Sequence, residues 1–223
     1  MTRTLLLLGI LALTIPALAN PLRAGEQQDL VDKARITVES FARDPDVAPM
    51  RSLLKRARGV LIVPQWLKAG FIIGGAGGSG VLLARNGDWS GPAFVDMAAG
   101  SVGLQIGAQA AEVILLLMTE RAVDAMLHNK VKIGADLSAA AGPVGKGIEA
   151  ATTTNLRDDV YAYSRAKGLF VGLSLEGAAI KTKAKWNSAY YGESVTARQI
   201  VLERVVTGEN ADSLKEALMA AAR

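Results

Sequence analysis

The apolar residues of this chain repeat first at helical spacing and then at strand spacing. Leu30, Ala34, Val38 and Phe41 predict a helix over 29–41, which Asp44-Pro45 ends. A shorter helix follows Pro49. Met50, Leu53, Leu54 and Ala57 share one side of it, while Arg51, Lys55 and Arg58 fall on another. From Gly59 the texture becomes β, with strands expected over 60–63, 70–74, 79–84 and 90–97. Asn86-Gly87 reads as a two-residue type I′ hairpin turn between the last two. Strands over 101–108 and 113–118, a helix over 120–129 and a strand over 133–141 come next. A turn at 142–145, strands over 160–165 and 169–183 (the second interrupted at Glu176-Gly177), and helices over 196–205 and 212–222 complete the chain. Nothing in that order resembles a linker, so a single compact α+β domain is the economical reading.

Gly70-Phe71-Ile72-Ile73-Gly74, Gly103-Leu104-Gln105-Ile106-Gly107 and Gly168-Leu169-Phe170-Val171-Gly172 repeat one pattern. In a strand, each places two glycines on one face, where glycine marks bends or close backbone approach. This predicts a strongly curled glycine-rich antiparallel sheet, or a barrel-like body, flanked by helices.

The first nineteen residues read differently from the rest. Arg3 precedes an apolar run from Leu5 to Ile15, Pro16 breaks it, and Ala17-Leu18-Ala19 carries the small residues a signal peptidase requires. Residues 1–19 are therefore expected to be a cleaved signal peptide and 20–223 the mature domain, periplasmic or otherwise exported. Cysteine is absent, so stability must come from packing and backbone hydrogen bonds. Half the residues are hydrophobic, and the formal charge of +4 falls only to +3 once Arg3 is removed. So mild a balance does not suggest nucleic acid as a partner. The apolar stretch 97–118 contains Gln105, Gln109 and Glu112, which argue against a membrane-spanning helix. A soluble or peripherally membrane-associated protein is expected.

Motifs for chemistry are weak. Gly75-Ala76-Gly77-Gly78-Ser79-Gly80 matches G-x-G-x-x-G, but the apolar run Val81-Leu82-Leu83-Ala84 leads into the Asn86-Gly87 turn rather than a helix that could hold a pyrophosphate. Gly172-Leu173-Ser174-Leu175-Glu176-Gly177 is one residue too long for a nucleophile elbow. His128 is the sole histidine and stands at a helix end, where capping suits it better than general-base chemistry. No catalytic residue, metal site or cofactor is expected.

Basic residues offer more. Lys181, Lys183 and Lys185 alternate, so a continuous strand would project all three from one face, near Arg165 and Lys167. Such a ladder suits protection of an edge strand from pairing, and also suits an anionic membrane surface. The helix carrying Arg51, Lys55 and Arg58 suits a membrane interface, or a sheet that its apolar face would cover.

ARGVLIVPQWLKAGFIIGGAGGSGVLLAR, Trp89 with Ser90-Gly91-Pro92-Ala93, and GSVGLQIGAQAAEVILLLMT run in order along the chain. They are followed by GADLSAAAGPVGKGIEA, YSRAKGLFVGLSLEGAAI and the segment from Asn187 to Gly192. Together, over 57–192, they resemble the SYLF domain family, lipid-binding domains of endocytic and actin-patch proteins and of bacterial envelopes. The resemblance implies one compact α+β domain with a non-enzymatic role at membranes, and with the basic residues above, the partner expected is an anionic lipid or membrane surface. The alternative is an envelope structural or protein-interaction module. Lys68, Gly70, Phe71, Gly74 and Gly75 match as markers of the fold.

Overall fold

In the computed structural model, residues 21–70, 73–102, 107–128, 131–144, 158–166, 169–170 and 177–223 are described. The expected signal peptide, Lys167, and the glycines at 103, 168 and 172 lie outside them. Helix α1 (Pro21–Arg43) begins well before the predicted start, and after a 3-10 turn α2 (Ala48–Arg56) follows. Strands β1 (Gly59–Gly70), β2 (Ile73–Asn86), β3 (Asp88–Trp89), β4 (Ala93–Val102) and β5 (Gly107–Leu117) then lead to α3 (Glu120–Leu127). Strands β6 (Val131–Lys132), β7 (Ala139–Ala141), β8 (Val160–Ala166), β9 (Leu169–Phe170) and β10 (Ala179–Thr182) precede α4 (Ala184–Tyr191). A π-helical turn at Gln199–Glu203 and α5 (Asp212–Ala221) end the fold.

The strands form one curled sheet in the order β6-β10-β4-β2-β1-β5-β8-β7, with β3 paired to β2 and β9 to β8. All neighbours are antiparallel except β7 and β8. Both faces of its central part are covered, which explains the unbroken apolar runs Val60–Val63 and Val113–Leu117 where alternation would otherwise be expected. One face carries Leu61, Leu82, Val95 and Leu115 against Val123 and Met126 of α3 and Ile200 and Val201 of the π-helical turn. The other carries Val60, Ile62, Leu83, Phe94 and Leu116 against residues of α1, α2 and α5.

β1 is the central strand, yet it contains Pro64, which cannot donate to a ladder. A one-residue register shift against both β2 and β5 absorbs it as a bulge at Pro64–Gln65. The extra residue reverses the alternation, so Trp66 joins Leu61 and Val63 on the same face. The bulge brings the chain close to β2. A Cβ built on Gly78 would lie 2.3 Å from the Gln65 carbonyl oxygen, and one on Gly80 would lie 2.5 Å from that of Ile62. These two glycines permit the close approach.

Several local readings need correction. A hairpin forms at this point, but Arg85 pairs with Trp89, so its loop is three residues centred on Gly87 (φ 77°) and not the two-residue type I′ turn expected. The G-x-G-x-x-G segment lies inside β2, with no helix after it. The expected strand over 133–141 is a tight turn closed by an Ile133–Leu137 bridge, followed by the three residues of β7. The predicted helix over 196–205 winds as a π-helical turn ending at Arg204, in the left-handed region with φ 54°. The strand expected to run to Lys183 ends at Thr182, and α4 takes its place.

Candidate anion-binding surface

The structure separates the cations that alternation would group. Lys181 lies in β10 opposite Asp96 of β4 and is exposed. Lys183 stands just outside the strand, at the start of α4, with its side chain only 17% exposed. Its Nζ donates to Ser79 Oγ at 3.0 Å, sits 3.1 Å from Asp96 Oδ1 and lies 3.4 Å from the Trp186 ring centre. Lys183 is thus a clamp between β2, β4 and α4. Lys185 is exposed on the helix. The lysine ladder does not form, because α4 has partners that a strand would lack. Phe94 packs edge-on against Trp186 and Tyr190, with ring centres 5.9 and 5.1 Å apart. The Phe94 N–H also donates to the buried Asn187 Oδ1 at 2.8 Å. Trp186 and Tyr190 at i and i+4, followed by Gly192 with φ 74°, are the local signals that mark this helix.

Arg165 turns inward. Its Nε donates to Glu112 Oε2 at 3.0 Å and its Nη2 to Ser40 Oγ at 2.6 Å, while the guanidinium lies 4.7 Å from the Phe41 ring centre. Thr37 Oγ1 donates to the other oxygen of Glu112 at 3.1 Å. This network pins α1 to β5 and β8 and leaves the Arg165 side chain 12% exposed, so it is committed to the interior rather than to a ligand. The sequence pattern at Arg165 carries no trace of Ser40 or Phe41, which lie more than a hundred residues away.

The α2 end keeps its cations outside. Met50, Leu53 and Leu54 are buried against the sheet, so the apolar face covers the core rather than facing a membrane. Arg51, Lys55, Arg56 and Arg58 are exposed around it. Arg51 Nη2 donates to the Ala42 carbonyl at 2.6 Å. Arg85, from the end of β2, donates to the Lys55 carbonyl and lies 5.5 Å from the Trp89 ring centre. Its backbone N–H donates to the Arg58 carbonyl at 2.8 Å, which draws Arg85 into the same cluster. Sequence spacing alone misses Arg85, because its nearness to Arg58 depends on β1–β2 register. His128 caps α3, and its Nδ1 lies 2.8 Å from the Asp124 carbonyl oxygen.

Among the described residues no helix is long and apolar enough to cross a membrane. A family model described as a Las17-binding protein and actin regulator, Ysc84, matches residues 98–221. The chain is 37% identical over 179 residues to Protein YSC84 of Saccharomyces cerevisiae, a match covering 78% of this chain and 38% of that protein. It is likewise 37% identical over 170 residues to the yeast LAS seventeen-binding protein 3, covering 74% of this chain and 36% of the relative. The bovine SH3 domain-containing YSC84-like protein 1 is 28% identical over 206 residues, covering 89% and 60%. The chain therefore spans less than two thirds of the length of these relatives.

Proposed function

This chain belongs to the Ysc84 (SYLF) family, and from that premise we propose that it is an exported, non-catalytic domain that binds anionic lipid headgroups at a membrane surface. The observation carrying this reading is the α2 end, where Arg51, Lys55, Arg56 and Arg58 are exposed while the apolar side of the helix is buried. Such a surface attracts an anionic leaflet without inserting into it. Each exposed cation near anionic lipid contributes about 1 kcal/mol, screened within a Debye length of about 8 Å at physiological salt. Lys181 and Lys185 form a smaller second set on the β10–α4 edge. A protein-interaction module is the other reading, favoured by the relatives whose names describe binding to Las17.

Vesicle sedimentation separates these readings. Replacing Arg51, Lys55 and Arg56 together with Gln should weaken binding to phosphatidylserine-containing vesicles about a hundredfold at low salt and flatten its salt dependence. The melting temperature should hold, since these side chains are exposed. Loss of binding only on replacing Lys181 and Lys185 would move the surface to the β10–α4 edge. Equal binding to neutral and anionic vesicles by the parent would remove the lipid reading and leave the protein-interaction one.

Export rests on residues 1–19 and has its own test. Intact-mass analysis of periplasmic material should find a chain beginning at Asn20. A full-length cytoplasmic product would remove export from the proposal while leaving the surface chemistry standing.

A further inference from the structure

A cleft of about 360 Å³ opens between the start of β1, the end of β2, the first turns of α3 and the π-helical turn. Arg58, Arg85 and Arg204 all line it. Three arginines around one cleft are not what stability alone would select. Gly59 pairs with Ala84, and the Arg85 N–H bond to the Arg58 carbonyl continues that pairing, so two like charges stand across from each other at the strand ends. Like charges so placed destabilise a sheet. Arg204 is the only non-glycine among the described residues with positive φ, and it directly follows a π-helical turn. Backbone strain and π-turns of this kind concentrate at functional sites.

Two of the guanidinium groups at the rim of this cleft are held in place by neighbours outside it. Arg204 Nη2 donates to the Asp88 carbonyl at 2.7 Å, and Arg85 is held by the Lys55 carbonyl and the Trp89 ring. A guanidinium carries five N–H donors, so both keep donors for a ligand. The Arg58 guanidinium makes no hydrogen bond or ion pair among the described residues. Glu120 and Asp124 also line the cleft, but Asp124 is paired with Arg198, leaving Glu120 as the one opposing charge without such a partner.

We propose that Arg58, Arg85 and Arg204 form a discrete pocket for a phosphate monoester. A tetrahedral dianion has enough acceptor oxygens for three guanidinium groups, whereas a carboxylate is filled by one or two. The proposal deepens the anionic-surface reading by naming the group recognised and one saturable site. A lipid headgroup and a soluble phosphorylated molecule share this chemistry.

Calorimetry with glycerol 3-phosphate should show saturable one-to-one binding to the full chain, and none with glycerol. Arg58→Gln should weaken it about tenfold, the loss of one charge-assisted contact. Glu120→Gln should strengthen it. In phosphate-free buffer Arg58→Gln should hold or raise the melting temperature, since it relieves the like-charge pair; a merely structural arginine would lower it. Vesicles containing phosphatidic acid, a monoester lipid, are compared with phosphatidylserine vesicles of equal surface charge. Preference for phosphatidic acid that Arg58→Gln removes assigns the pocket to a headgroup, and glycerol 3-phosphate binding without that preference assigns it to a soluble ligand. If neither probe binds saturably, or if Arg58→Gln binds as the parent does, the pocket is overturned. The screened surface at Arg51, Lys55 and Arg56 is judged separately, by phosphatidylserine binding.

Discussion

Gly78→Ala should destabilise the domain by about 3 kcal/mol or more, enough to lower its denaturation midpoint sharply. The added methyl would lie 2.3 Å from the Gln65 carbonyl oxygen and 2.8 Å from a Val63 methyl. Neither neighbour is the free end of a flexible side chain. The carbonyl belongs to the bulge at Pro64–Gln65, which β2 and β5 hold from both sides. Relief would require moving the central strand. Gly75→Ala is the control, because the same substitution in the same strand meets nothing within 4 Å. It should be close to neutral. Similar midpoints for both variants in urea unfolding would show that β1 and β2 do not approach each other as described.

Asp159→Asn should cost about 2 kcal/mol and remove part of the acid sensitivity of the fold. Asp159 is buried just before β8 and accepts hydrogen bonds from Thr119 Oγ1 at 3.0 Å, from Arg121, and from Ser138 N and Oγ at 3.2 and 3.1 Å. Burial alone would raise its pKa, but the hydrogen bonds from Thr119, Arg121 and Ser138 together outweigh it and hold the carboxyl below its ordinary 3.8. The sign follows from linkage. A depressed carboxylate stabilises fully at pH above its unfolded value, and that stability is lost as pH falls through the lower folded one. The parent should therefore lose stability below about pH 4, and the variant should lose less over the same range. Asparagine keeps the shape but turns an NH2 group toward existing donors, so it cannot restore the network. A parent and variant with parallel stability–pH curves in acid would refute the role of this carboxylate.

Much of the fold is legible in local pattern. The apolar spacing of Met50, Leu53 and Leu54 identifies α2, and all three are buried. The strands read over 113–118 and 160–165 fall within or close to β5, which ends at Leu117, and β8. In α5, Leu214 and Leu218 stand one turn apart and both are buried. The glycine-rich segments point to a curled sheet, and Gly78 and Gly80 provide close approach at the bulge, although the repeat itself falls partly outside the described residues. The candidate site was less legible. Arg51, Lys55 and Arg58 are exposed at the α2 end, whereas Lys183 and Arg165 serve internal contacts.

Sequence alone determined the helices and strands whose periodicity meets an apolar core, the α+β class, and the run of residues that places the chain in its family. These depend on neighbours three or four positions apart in a helix, or two apart in a strand, and such neighbours are written in the local order. Tertiary structure decided where the strand gives way at Thr182, because Trp186, Asn187 and Tyr190 find Phe94 some ninety residues away. It also decided that Arg165 faces Ser40 and Glu112, and that Arg58, Arg85 and Arg204 share one cleft. A charged side chain is compatible with solvent, an ion pair or a ligand. Which it meets depends on strand register and on the packing of distant elements, and neither is encoded in the spacing around it.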